Sequence, residues 1–166
     1  MRRENMMQTI AYDRNAAVAY AKKWAFHRNP RYYNFDKIGG DCTNFISQCI
    51  YAGCGIMNYK KDTGWYYSSP SNRAAGWSSV PYLYQFLISN RGIGPYASEV
   101  PQAMAEPGDI IQLGRYNGVW YHSLLILEKT DKDILIATHT QDASNRPLSD
   151  YIRDRTRFLH LEGARQ

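Results

Sequence analysis

The chain has 166 residues, fourteen tyrosines, four tryptophans, three cysteines and a formal net charge of +5, a length that suits one domain, residues 1–166, with its own hydrophobic core. The mild positive charge favours an anionic polymer, but the basic runs that mark nucleic-acid binders are missing, which sets nucleic acid aside as a partner. Residues 1–10 hold no apolar run of signal-peptide length, and nothing later is apolar enough for membrane insertion.

In chain order, residues 13–27 read as a helix: Asp13 caps it, Ala17, Tyr20, Ala21 and Trp24 share a face, and Pro30 stops it. An aromatic loop, 31–38, carries Tyr32 and Tyr33 into the pair Gly39 and Gly40. A second helix runs from Cys42, with Asp41 as N-cap and Gly53 as stop, and Phe45, Ile46, Cys49 and Ile50 on one face. Amides at a helix start favour a thiolate, so the expectation is a lowered Cys42 pKa; the bland alternative is a small buried apolar residue. Residues 55–78 read as a long ordered loop, because Trp65, Tyr66, Tyr67 and Trp77 are costly to leave in water. A third helix follows at about 80–90, with Leu83, Phe86 and Leu87 on one face, Ser79 as cap and Gly92 as stop. The period then becomes extended: strands at 110–113, 119–128, 134–140 and 157–161, with turns at Pro107-Gly108, Asn117-Gly118 and 131–133. Helices first and a meander afterwards predict an α+β domain, one antiparallel sheet with helices on one face.

The chemistry concentrates around Cys42. In a helix, Cys42 and Cys49 lie two turns apart, roughly 10 Å along the axis, too far for a disulfide. Cys54 is farther, so Cys42 is a free thiol and only Cys49 with Cys54 remains imaginable. The spacings do not match structural zinc sites, and no metal or other cofactor is expected. Strand alternation puts Trp120, His122, Leu124 and Ile126 on one face, and Leu135, Ala137 and His139 on one face of the next strand. If the faces coincide on the helix side, His122 can take the thiol proton and His139 can fix its tautomer. Asp142 and Asn145 are the alternative orienting groups, with turn formation as their simpler role. His27 and His160 read as structural, Gln48 lies too far along the helix for an oxyanion, and the Cys42 amide is the better donor.

Four stretches in order, Gly-Gly-Asp-Cys42-Thr-Asn-Phe-Ile-Ser-Gln, Glu-Pro-Gly-Asp-Ile-Ile, Tyr-His122-Ser-Leu-Leu-Ile and Ala-Thr-His139-Thr-Gln-Asp, resemble the putative amidase domain family, related to NlpC-like cysteine peptidases and CHAP amidases. The resemblance covers about residues 12–162. It implies a papain-like fold with helices packed on a central antiparallel sheet, Cys42 as nucleophile, His122 as base and His139 as third polar residue. It also implies hydrolysis of an amide bond, commonly in bacterial peptidoglycan. Tyr32 or Tyr33 would stand for the upstream oxyanion tyrosine of NlpC-like enzymes. Asp41, Trp65, Trp77 and Asp142 complete the candidates for substrate or oxyanion contact.

The expected partner is therefore peptidoglycan or a peptide amide, met by a monomer. The same thiol site used as an acyltransferase and a non-catalytic wall-binding module are the alternatives; a metalloenzyme ranks last. Localisation stays open, since the implied substrate lies outside the cytoplasm and residues 1–10 carry no export address.

Overall fold

The computed structural model describes residues 6–166; the first five residues, within the stretch read for an export signal, lie outside it. Along the chain come β1 (Thr9–Ile10), α1 (Arg14–Trp24), α2 (Cys42–Cys54), β2 (Tyr67–Ser69), β3 (Asn72–Arg73), α3 (Ala75–Ser78), α4 (Val80–Ser89) and β4 (Gly94–Val100). Then follow β5 (Ile110–Gly114), β6 (Trp120–Lys129), β7 (Ile134–Thr138), β8 (Ala143–Pro147) and β9 (Arg155–Arg165), with 3-10 turns at Gln102–Met104 and Leu148–Asp150. Seven strands form one antiparallel sheet in the order β1-β9-β5-β6-β7-β8, with β4 also on β9. Glu99 and Ile110 both pair with Leu159, so β4 and β5 lie on opposite edges of β9. The chain is thus a mixed α and β protein with a large antiparallel sheet.

Alternate residues of the same strands feed two cores. Ile110, Leu125, Ala137, Leu159 and Leu161 join the helices, while Ile111, Leu113, Leu124, Ile126, Ile136 and Phe158 form a second cluster closed by Leu148 and flanked by Tyr151. That split is the period-two signature of strands. No described helix is long and apolar enough to cross a membrane.

α2 differs from the expected one-faced helix. Every residue from Cys42 to Ile50 is buried, because α1, the sheet and the aromatic loops surround it. Its polar residues are all matched: Thr43 with Ser123, Asn44 with Trp77, Ser47 with Trp65 and Gln48 with Tyr20. Asp41 is not a side-chain cap, since its carboxylate is turned to other partners. Gly53 is not the stop either. A Cβ there would lie 2.3 Å from the Tyr12 ring, and the left-handed cap is Gly55, φ 69°, whose N–H reaches Tyr51 O at 2.7 Å.

The predicted loop at 55–78 contains the β2–β3 hairpin and α3, and its two tryptophans are core. β4 and β8 lack an apolar alternation and exist by pairing with β9 and β7. β7 stops at Thr138, so His139 lies beyond the strand assigned to it. All three cysteines are free thiols.

Candidate active site

The start of α2 is set by a turn. Gly39 and Gly40 have φ of 80° and 97°, where a side chain is strained. The N–H of Asp41 then donates to Thr140 Oγ1 at 2.9 Å. The turn following β7 is in this way clamped to the residue before the thiol.

Cys42 is 8% exposed. Its sulfur accepts from the backbone amides of Ser123 and Thr43 and lies 3.7 Å from Thr43 Oγ1. Burial pushes the thiol above its ordinary pKa; those hydrogen bonds oppose the rise and the Asp41 charge adds to it. The expected depression by helix-start amides is therefore corrected: desolvation of a nearly closed thiol outweighs them.

His122 sits across from Leu113, a member of the second core, so alternation places it on the sheet face away from α2. The β6–β7 ladder ends at the Leu125–Ala137 pair. The Thr138 side chain lies there, its one hydroxyl hydrogen shared between Ser123 O at 2.9 Å and His139 O at 3.0 Å. That leaves an oxygen lone pair facing His122 Nε2 at 3.4 Å. Nε2 then carries the hydrogen, and Nδ1 keeps its lone pair, with no hydrogen-bond partner among the described residues. Burial, reinforced by the Arg146 charge, lowers His122 to about 4. At neutral pH the pair is a neutral thiol and a neutral imidazole, not hydrogen-bonded to each other in this structure. The two are linked along the chain: the Ser123 amide acts on the sulfur, and Ser123 follows His122.

His139 does not orient His122. Its Nδ1 lies 2.6 Å from Asp41 Oδ2 and its Nε2 2.7 Å from Trp24 O, so both nitrogens are used, and both face acceptors. The ring stacks on Phe45 of α2 at 3.9 Å, on the helix side of the sheet. Asp142 is also taken, by two hydrogen bonds from Arg28 at 3.0 and 2.8 Å. The orienting contact belongs to Thr138 instead, a residue the strand reading passed over.

Asp41 is fully buried and accepts from Phe35 N–H at 2.8 Å and Asn44 Nδ2 at 2.9 Å besides His139. A buried anion with all its oxygens engaged can bind neither substrate nor oxyanion; it fastens the aromatic loop, α2 and the end of β7 together. Trp65 and Trp77 are likewise removed from the substrate candidates. Both are fully buried, and their indole N–H groups are spent on Ser47 Oγ and Asn44 Oδ1. Tyr32 is buried against Tyr67 and Trp77. Tyr33 is 42% exposed, and its carbonyl accepts from Asn44 Nδ2 at 2.9 Å, which holds it beside the start of α2.

A cavity of about 390 Å³ opens next to His122, lined by Tyr121, Thr140, Gln141, Arg146 and Tyr151. Another, of about 200 Å³ between Gly64, Tyr82 and Phe86, holds no residue of the thiol site. Glu106, Asp109 and His160 bring their ligand atoms within 4.8 Å of one another, but Arg14 already occupies Asp109 at 2.7 Å. This group is a structural ion cluster, not a metal cradle.

The family model described as "Putative amidase domain" matches residues 11–161. The chain belongs to that family. The putative amidase domain here is also 33% identical over 153 residues to the uncharacterized protein YhbB of Bacillus subtilis (strain 168), a match covering 87% of this chain and 46% of the relative. The chain therefore spans about half the length of that relative. No solved structure matches it.

Within this amidase domain, sequence reasoning missed Ser123, Thr138, Gln112, Arg146 and Tyr151. For Gln112 and Ser123 a signal existed: each is a polar residue inside an otherwise apolar strand run, which demands a buried partner. For Arg146 and Tyr151 nothing local marks the position, because only the fold brings them to His122.

Proposed function

We propose that this protein is a cysteine amidase in which Cys42 is the nucleophile and His122 the general base, acting on amide bonds of bacterial cell-wall peptidoglycan. One observation carries the reading. The Thr138 hydroxyl lies 3.4 Å from His122 Nε2 and leaves Nδ1 without a partner among the described residues, while the amide of the adjoining Ser123 acts on the Cys42 sulfur.

From a neutral resting pair, the proton leaves sulfur as sulfur attacks. His122 Nδ1 takes the thiol hydrogen while the C–S bond forms, and the carbonyl electrons move onto oxygen. The Cys42 amide, at the first position of α2, has no intrahelical acceptor and is the backbone donor for that oxyanion. The imidazolium returns the proton to the leaving amine as the C–N bond breaks. Water, deprotonated by the same Nδ1, then cleaves the thioester. A base lowered to about 4 is weak, yet fully available at neutral pH, and transfer in step with attack spares the enzyme a free buried thiolate.

A helix-headed thiol over an antiparallel sheet agrees with the papain-like architecture that the resemblance implies. The net charge of +5 and the exposed Tyr33, Tyr59, Tyr82 and Tyr116 suit an anionic, sugar-bearing polymer. The cavity beside His122 is the natural place for the substrate chain, and the exposed Tyr33, held by Asn44 near the start of α2, offers a further contact.

The test is digestion of intact peptidoglycan, with the fragments identified by mass, by the wild type and by Cys42→Ala and His122→Ala. New amine and carboxyl ends are expected from the wild type alone. Fragments released equally by Cys42→Ala would overturn the cysteine mechanism, and no fragments from an alkylatable wild type would move the substrate away from the wall.

A further inference from the structure

A line of buried polar side chains runs from β9 across the sheet to the thiol. Arg157 is 8% exposed and lies between the rings of Tyr84, 3.5 Å from the centroid, and Trp120, 4.0 Å. No carboxylate pairs with it among the described residues. Its Nε and Nη2 both donate to Gln112 Oε1, at 2.9 and 2.6 Å. Glu99, held by the Tyr84 hydroxyl, acts on this nearly buried cation only at a distance, so its commitment to one amide oxygen calls for a reason.

The reason lies in the direction of the hydrogen bonds. With two guanidinium donors on Oε1, the Gln112 amide cannot flip, and its NH2 must face the other way. One hydrogen goes to Val80 O at 2.9 Å and the other toward Ser123 Oγ at 3.3 Å. Ser123 Oγ has one further contact, Thr43 Oγ1 at 3.1 Å, and since this is the one acceptor in reach of its hydrogen, it donates there. Thr43 Oγ1 has then accepted in its turn, and its remaining contact is Cys42 Sγ at 3.7 Å. Gln112, Ser123 and Thr43 are all essentially inaccessible to water, so solvent does not scramble the order.

We infer that Arg157, Gln112, Ser123 and Thr43 form a one-way hydrogen-bond chain that fixes the Thr43 hydroxyl as a donor to the Cys42 sulfur, which makes all four positioning residues for the nucleophile. The chain adds a third donor to the Ser123 and Thr43 amides at the sulfur. It opposes burial and the neighbouring Asp41 carboxylate, while burial keeps His122 neutral. Its purpose rests on Cys42 being the nucleophile, but its geometry is readable by alkylation, which needs no amide substrate and so separates failure of the chain from failure of the proposed activity.

The experiment follows the iodoacetamide alkylation rate of Cys42 against pH in the full chain, by mass spectrometry of the Cys42 peptide. Cys49, fully buried, is the internal control: its protection shows that a variant is folded. Thr43→Val deletes the last donor. Gln112→Glu gives up the bond to Val80 O and offers oxygens to both Arg157 and Ser123, so Ser123 turns to donate to Glu, Thr43 turns to donate to Ser123, and the sulfur loses its donor. Both should slow Cys42 alkylation roughly tenfold at pH 8 and move the midpoint up by about one pH unit, since a hydrogen bond to a charged group is worth about that much. Thr43→Ser, which keeps the hydroxyl, should restore the wild-type midpoint. Wild-type rates in Thr43→Val and Gln112→Glu, or a Thr43→Ser as slow as Thr43→Val, would overturn the chain. If Cys49 labels in either of the first two variants, Thr43→Ser alone decides: a midpoint above the wild type's refutes it.

Discussion

Replacing Asp41 tests the claim that this residue is a buried fastener and not a substrate contact. Asp41→Ala removes the acceptor of the Phe35 N–H, at 2.8 Å, the Asn44 side-chain amide, at 2.9 Å, and His139 Nδ1, at 2.6 Å. Breaking a buried ion pair by deleting one partner costs about 3–5 kcal/mol, and each stranded buried donor about 1–3 kcal/mol. The local relaxation that follows a deletion keeps the net cost at about 3–5 kcal/mol. The Arg28 contact at 3.6 Å adds little, because Arg28 is already held by Asp36 and Asp142. In a domain of this size roughly 2–4 °C of melting temperature goes with each kcal/mol, so Asp41→Ala should melt roughly 6–20 °C lower. Asp41→Asn is the informative partner. Its oxygen keeps Phe35 and Asn44, its NH2 donates to an unprotonated His139 Nδ1, and the other ring nitrogen still donates to Trp24 O. Every hydrogen bond survives and only the charge is lost, so the cost should be under half that of Ala. Thermal and urea unfolding of both variants provide the assay. An Asn variant as unstable as Ala, or an Ala variant within about 1 kcal/mol of wild type, would refute the fastener argument.

Other outcomes follow from the same geometry. If a neutral His122 is the base, kcat/KM is flat at neutral pH and falls as pH drops through about 4, where the imidazole gains its proton; an acid limb near 6.5 would contradict the burial argument. Stability shares that window. The folded pKa of about 4 lies below the unfolded 6.5, so the unfolded chain binds more protons in between and stability is lost as pH falls across that range. The loss is roughly 2–3 kcal/mol after allowing for the open side of the ring, and His122→Gln should abolish this part of the pH dependence in urea titrations. Arg146→Gln removes the second cause of the lowered pKa and should move the acid limb of the activity profile upward, leaving the neutral plateau in place. Gly53→Ala puts a Cβ 2.3 Å from the Tyr12 ring and 2.9 Å from Asp13 O; the overpacking should cost roughly 1–3 kcal/mol, and a neutral melting temperature would show that α1 and α2 pack less tightly than they appear.

Much of the scaffold was readable locally. The apolar spacing in 13–27, 42–53 and about 80–90, and the turns at Pro107-Gly108 and Asn117-Gly118, mark α1, α2, α4 and the strands β5 to β7, since helix and strand periods are written in adjacent residues. β4 and β8 were not readable, because Gly94-Pro95 and Asn145-Arg146-Pro147 have no strand character apart from their partners. The site divides in the same way. Cys42, His122 and His139 stand out by residue type and order, but their relations do not. Alternation groups each strand's residues, but the Leu125–Ala137 register puts Ala137 on the helix side and the face His122 shares with Leu124 on the other, so the two faces do not coincide, and β7 ends one residue short of His139.

By itself, the sequence determined the family, the sheet-and-helix composition, and a thiol kept free of disulfides by helical spacing at the head of α2. The tertiary structure alone decided that His139 serves Asp41, that Thr138 serves His122, that Trp65 and Trp77 are core, and that the thiol is raised and not lowered. The physical reason is common to all four. Periodicity is a property of neighbours along the chain, whereas desolvation and the choice of hydrogen-bond partner depend on residues up to 115 positions away, as Trp24 is from His139.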